Sequence, residues 1–235
     1  MYYVMREPRK ILEKKAVTVL EKSIFHILSS KEYATLGIVG GSSVKGVFEN
    51  LKESNIPWKK VHIFMVDERL VPEDHPDSNY LLASSSLIDH LIKSSQMPAE
   101  NAHPFRFEAN VPDKGIKKYE EELKGYGDEI EILLLSAGED GHIGALFPNH
   151  PSINNDSDYY LTMNDSPKLP KGRMTMSKAL MQRSRRAIIL FFGEGKREAL
   201  ELCLREKTSI CDCPAKIITG VPLTYILTDI TDQRK

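Results

Sequence analysis

Five short apolar runs punctuate the chain: TLGIVG at 35–40, VHIFMV at 61–66, EILLLS at 131–136, AIILFF at 187–192 and LTYILT at 223–228. Within each run apolar residues follow one another almost without a break. A strand covered on one face alternates apolar with polar, whereas a strand covered on both faces does not. These runs therefore predict buried strands of a parallel sheet. Between them the apolar spacing becomes that of a helix. Residues 8–30 carry Ile11, Leu12, Ala16, Val19, Leu20 and Ile24 at helical intervals, and 44–53, 79–93, 114–125 and 194–206 read in the same way. Strand and helix in alternation predict an α/β domain of three layers, a mostly parallel sheet with helices on both faces. The stretch 151–172 breaks the rhythm. It is polar, carries prolines, and predicts a long loop of the kind that borders active sites. No boundary for a second domain is visible, so residues 1–235 are expected to form a single domain.

Composition adds limits. Of 235 residues, 41% are hydrophobic and 28% charged, enough for a sizeable core. The 32 basic and 33 acidic residues leave a net charge of −1. That balance offers no general attraction to nucleic acid or to an anionic membrane, while a local basic pocket stays open. The N-terminal segment is interrupted by charge and lacks the apolar stretch of a secretory signal. No apolar run approaches the ~20 residues of a membrane span. Cys203, Cys211 and Cys213 are an odd set, without His or Cys partners at metal-binding spacing. The expectation is a cytoplasmic protein with reduced thiols, no cofactor and no metal.

In open parallel sheets the ligand sits beyond the carboxyl ends of the strands, so the residues just after each run carry the chemistry. After the first comes GGSSVKG. Gly40 and Gly41 let backbone approach a ligand, Ser42 and Ser43 add hydroxyls, and a helix follows, an arrangement suited to phosphate. A plain strand-to-helix turn with Ser42 or Ser43 as N-cap satisfies the same pattern, whose spacing is neither that of a P-loop nor of a dinucleotide fingerprint. After the second run, DER places Asp67 and Arg69 at a strand end. Arg69 is suited to holding phosphate or carboxylate, and the alternative is a surface ion cluster. After the fourth, GEGK puts Lys196 in the first turn of a helix, where the dipole gives a cation nothing and a bound anion would justify it. After the third comes AGEDGHIGALFP, with Asp140 and His142 in a glycine-rich turn and Phe147 and Pro148 as an apolar wall. Imidazoles exchange protons near neutral pH. Each motif alone is weak. Four at one sheet edge point to a sugar-phosphate-like ligand and acid–base catalysis.

The motifs also carry a family likeness. GGSSVKG, then DERLVP with Ser78 and Asn79, then GEDGHIGALFP, then Arg173 to Thr175 and Gly193 to Lys196, occur in an order that resembles the 6-phosphogluconolactonase family from about residue 37 to residue 228. Departures fall at Ser43 and Val44, at Ser136 and Ala137, and at Gly144 and Ala145, which touch packing and backbone shape more than proton-carrying groups. The related glucosamine-6-phosphate deaminases share the fold. They carry a glutamate where this chain has Phe147, and a tyrosine where it has Arg69.

The resemblance implies a metal-free hydrolysis of 6-phosphogluconolactone in the oxidative pentose phosphate pathway. His142 would be the acid–base catalyst, with Asp140 or Asp67 orienting its ring. Arg69 and Lys196, with the turn of Gly40, Gly41, Ser42 and Ser43, would hold the phosphate; the alternative for Arg69 is to face the oxyanion. Arg173 is a further candidate for the anionic groups. Rival readings are a deaminase-like isomerase and a non-catalytic sugar-phosphate-binding protein. The expected partner is a small sugar phosphate, not nucleic acid or a membrane.

Overall fold

Sheet order decides where a ligand can enter, and here it reverses in the middle. The structure is a computed structural model that describes residues 1–232. From the N terminus the elements run β1 (Tyr2–Arg6), α1 (Arg9–Leu28), β2 (Ala34–Ile38), α2 (Lys45–Leu51), β3 (Val61–Met65), β4 (Asp67–Arg69), α3 (Asn79–Ala83), α4 (Asp89–Lys93), β5 (Ala102–His103), α5 (Ile116–Lys124), β6 (Ile132–Ser136), β7 (Tyr160–Met163), β8 (Arg173–Met176), α6 (Lys178–Arg183), β9 (Arg186–Phe191), α7 (Arg197–Leu204) and β10 (Leu223–Thr228). Among the described residues a seven-stranded sheet has the order β1-β10-β9-β6-β2-β3-β5, and all its pairings are parallel. From β2 the chain builds outward to β3 and β5; from β6 it builds the other way to β9 and β10. The crevice between the carboxyl ends of β2 and β6 is thus the switch point at which such sheets bind ligands.

The five apolar runs do form strands of this sheet. Every residue of β2 and β3 is buried, which requires cover on both faces. Helix α1 buries Leu12, Ala16, Leu20, Ile24 and Ile27 along one stripe, while Ile11, expected on that stripe, is exposed. The predicted helix at 79–93 is α3 and α4 joined by a π-helical turn at Ser84–Ile88. The predicted helix at 194–206 opens with a 3-10 turn, Glu194–Lys196, before α7.

One element lies outside the expectations, and one expectation needs correction. The charged N-terminal segment begins with a strand: β1 pairs in parallel with β10 at the sheet edge, and its exposed Tyr2, Tyr3 and Val4 reflect an edge position. The segment 151–172 is not all loop. It contains β7, which joins β8 and β4 in a three-stranded antiparallel sheet, order β4-β8-β7. Ala145, Phe147, Leu161 and Met163 bury a small apolar cluster of their own. The two sheets meet at Val66, whose N–H donates to Ile38 O at 2.8 Å and whose carbonyl accepts from Met176 N at 2.7 Å. Among the described residues no helix is long and apolar enough to cross a membrane.

A buried polar chain runs through the β3–β5 edge. His62 Nδ1 lies 2.9 Å from His103 Nε2, and His103 Nδ1 lies 2.6 Å from Glu122 Oε1. Burial, and then the neighbouring His103, lowers the His62 pKa to about 4. An unfolded histidine titrates near ~6.5. The unfolded chain therefore binds the proton first as pH falls. The contribution of neutral His62 to stability is complete above pH ~6.5 and is lost between there and pH ~4, at about 1.4 kcal/mol per pH unit. His62→Gln should remove this component. In urea melts the wild type should lose stability relative to the variant from pH 6.5 down to 4. A stability difference constant with pH would show that His62 titrates alike in both states.

Candidate active site

The four strand-end motifs converge on one cleft of about 350 Å³ at the switch point. Gly40, Gly41, Ser42 and Ser43 follow β2, and Ser136, Gly138 and His142 follow β6. Lys196 comes from the turn after β9, and Asp67, Arg69 and Arg173 come from the small sheet. Asp140 stands beside His142. The structure thus brings together every residue expected from sequence, and adds Asn79, Ser136, Lys168 and Leu169 to the walls.

The histidine turn is built for contact between residues two apart. Gly141 adopts φ +84°, a conformation glycine takes at little cost, and Gly141 N donates to Gly138 O at 3.0 Å. The tight turn folds Asp140 onto the ring, with Oδ1 2.5 Å from His142 Nδ1. The choice between Asp140 and Asp67 as the ring's partner therefore falls to Asp140. Burial pushes the Asp140 carboxyl up. The hydrogen bond and charge of His142, with Lys168 beyond, outweigh burial and hold the carboxyl well below its usual range. Lys168 Nζ is 3.2 Å from Asp140 Oδ2. The Phe147 ring packs 4.8 Å from the imidazole, centroid to centroid, and is itself buried.

Asp67 has a different setting. It is buried, and Asn79 Nδ2 donates to its carbonyl at 2.9 Å and its Oδ2 at 3.1 Å. Burial raises its pKa; Arg69, Arg173 and His142 oppose the rise. Its neighbour Glu68, the middle residue of DER, faces away from the cleft chemistry. It accepts from Arg69 N, Asn79 N and Tyr80 N, each at 2.7 Å, and from Ser78 Oγ at 3.1 Å. Arg69 Nη1 donates to Asp77 O, and Nε is buried without an acceptor among the described residues. Arg173 spends Nε and Nη2 on Pro170 O and Leu169 O, both at 2.8 Å. It braces the loop before it as well as lining the cleft.

Lys196 is the most telling cation. Nζ donates to Ser43 Oγ and Ser136 Oγ, both at 2.9 Å. Among the described residues it makes no salt bridge, unlike Lys168. Burial, and then the charge of Arg9, lowers its pKa to about 8. A half-buried ammonium whose hydrogen bonds go only to hydroxyls leaves charge that an anion would neutralise. Gly41, at φ +97°, turns the chain at this end of the cleft. No group of three or more His, Cys, Asp or Glu among the described residues could hold a metal ion.

Comparison with known proteins identifies the family. A family model described as glucosamine-6-phosphate isomerases/6-phosphogluconolactonase matches residues 7–225, and the chain belongs to that family. Within it, the 6-phosphogluconolactonase of Borreliella burgdorferi is 30% identical over 199 residues, 85% of each chain. That of Synechocystis sp. is 30% identical over 217 residues, 89% of this chain and 88% of the relative. Among solved structures, a 6-phosphogluconolactonase from Thermotoga maritima superposes with a TM-score of 0.81 at 24% identity, over 97% of this chain and 98% of its own. A monomeric glucosamine-6-phosphate deaminase does so with a TM-score of 0.79 at 22% identity, over 97% and 96%. The expected deaminase-like fold is therefore the observed one.

Sequence reading missed Lys168 and Ser136. Ser136 ends an apolar strand and gives no local sign of contacting Lys196. Gly138 matters for what it lacks: a Cβ there would stand 2.1 Å from His142 Nδ1 and 2.6 Å from Asp140 Oδ1. Gly138→Ala should therefore break the Asp140–His142 bond and displace the ring without unfolding the chain. The Nδ1-bound proton signal of His142 in NMR spectra should vanish, and the melting temperature should stay within about 5 °C of wild type. An unchanged imidazole signal would mean that the turn relaxes around the methyl group.

Proposed function

We propose that this protein hydrolyses 6-phospho-D-glucono-1,5-lactone to 6-phosphogluconate in the oxidative pentose phosphate pathway. One observation carries the reading. A carboxylate-held histidine and a half-buried ammonium that makes no salt bridge among the described residues line the same cleft. Such a pair acts on a neutral ester at one point of a substrate and holds an anion at another. Relatives named 6-phosphogluconolactonase support the choice of lactone.

Asp140 takes the Nδ1 side of His142, so Nδ1 carries the hydrogen and the Nε2 lone pair faces outward. Nε2 accepts a proton from water as the oxygen attacks the lactone carbonyl. The imidazolium, stabilised by Asp140, then returns the proton to the ring oxygen as the C–O bond breaks. One histidine serves both steps. Lys196, Ser43 and the Gly40–Ser43 turn hold the phosphate, and Arg69 and Arg173 supply positive charge from the opposite wall. Anchoring the phosphate fixes the carbonyl relative to the histidine, a gain worth several kcal/mol at most sites of this kind. Phe147 presents an apolar ring to His142 where the deaminases carry a glutamate, so the isomerase reading lacks its second acid. The cleft draws on both sheets and on segments from residue 39 to residue 196, so we take the chain to work as one domain. Its free cysteines fit a reducing cytoplasm.

His142→Ala should lower kcat by about 10²- to 10⁴-fold in a pH-stat assay with freshly made lactone, corrected for spontaneous hydrolysis. Retention of a third of the activity would assign the proton transfer elsewhere. Lys196→Met should cut kcat/KM for the phosphorylated lactone by about ten- to a hundredfold and leave the poor reaction with plain gluconolactone nearly unchanged. Equal losses on both substrates would remove Lys196 from the phosphate site.

A further inference from the structure

Lys168 belongs to none of the strand-end motifs, yet its backbone is fixed with unusual care. Buried Ser166 accepts from Lys168 N at 3.2 Å and donates its hydroxyl to Lys168 O at 2.9 Å. Ser166 N in turn donates to Lys171 O at 3.2 Å. Buried Arg173 clamps the next two carbonyls, those of Leu169 and Pro170. The closed turn sends the Lys168 side chain back to the histidine. Nζ lies 3.2 Å from Asp140 Oδ2 and 3.4 Å from His142 Nδ1.

An ammonium only donates, and His142 Nδ1 is already engaged by Asp140 Oδ1. The bond Lys168 makes is therefore to Asp140 Oδ2, and its effect on the ring is one of charge. Stability does not explain the pair. The Lys168 side chain is 45% exposed and that of Asp140 36%, and ion pairs so exposed are worth ~0–1 kcal/mol. Two consequences for the histidine do follow. With both oxygens engaged, the carboxylate is held from rotating off Nδ1. The ammonium also opposes the pull of nearby acids on the ring. Those acids are Asp140 on its own turn and Asp67 from β4. Glu139 and Lys196 line the cleft as well, and Phe147 packs on the ring.

We propose that Lys168 is a positioning residue that locks the Asp140 carboxylate against His142 and balances the negative charge the ring faces. For its kinetic test the proposal rests on the lactonase reading; for its spectroscopic test it does not. Lys168→Met should lower kcat about tenfold on phosphorylated and plain gluconolactone alike, with KM changed by less than about twofold. Removing a neighbouring cation favours the imidazolium, so the loss should be deeper at pH 6 than at pH 8. Lys168→Arg, which keeps the charge and the donors, should restore most of the rate. In unliganded protein, ¹⁵N NMR of the His142 ring should show imidazolium persisting to higher pH in Lys168→Met than in wild type. A KM increase confined to the phosphorylated lactone, with the pH profile unmoved, would make Lys168 a phosphate ligand and overturn the proposal. Unchanged kinetics with an unchanged ring titration would overturn it too. If wild type proves inactive on the lactone, the functional reading falls, and the NMR comparison still decides the role of Lys168.

Discussion

Glu68 carries none of the proposed chemistry, yet its carboxylate is buried at the end of a strand and must be met by donors from elsewhere in the chain. Burial of an unsatisfied carboxylate costs several kcal/mol. Here the amides of Asn79 and Tyr80, at the start of α3, and the hydroxyl of Ser78 meet it. Burial still raises its pKa, and these amides work against the rise. To supply them the helix must begin beside β4. That placement puts the Asn79 side chain on Asp67. It also puts Asn79 against the first glycine of the β2 turn, where a Cβ on Gly40 would come within 2.0 Å of Asn79 Oδ1. One carboxylate thereby sets the spacing between the small sheet and the glycine turn, and so the shape of the cleft between them.

Within that shape, burial divides the charges into two kinds. Asp140 is exposed enough, and close enough to cations, to stay ionised and work on the ring. Asp67 is deep enough that burial dominates despite two arginines nearby. Lys196 is half-buried and bonded to hydroxyls, which can accept its hydrogens but cannot cancel its charge. Position in the fold, more than residue type, decides which acids pair with the histidine and which cation awaits a ligand.

Much of this was legible in the sequence because it follows from short-range rules. Continuous apolar runs marked the central strands, and the residues just beyond them, from Gly40 to Lys196, reach the cleft because parallel strands deliver their ends to one edge. What was not legible depends on distant partners. β4, β7 and β8 are three or four residues long, and β4 pairs with β8 across about a hundred positions, so no local period announces them. β1 hides among charges because an edge strand has little to bury. Lys168 sits in a polar, proline-bearing stretch, and only the buried Ser166 and Arg173 reveal that the stretch folds back. The i, i+2 contact of Asp140 with His142 needed a glycine at positive φ, which the sequence permits but does not require.

The junction at Val66 has a kinetic meaning. Its N–H belongs to the large sheet and its carbonyl to the small one, so the two walls of the cleft are joined through a single residue with no loop between them. A clamshell motion would have to break one of those bonds or distort a strand. Capture of a ligand is accordingly a docking between fixed walls, in which little ordering entropy is lost on binding. The association rate is then set by diffusion and by the pull of Arg69, Lys168, Arg173 and Lys196 on an approaching anion, a pull that weakens as ionic strength rises.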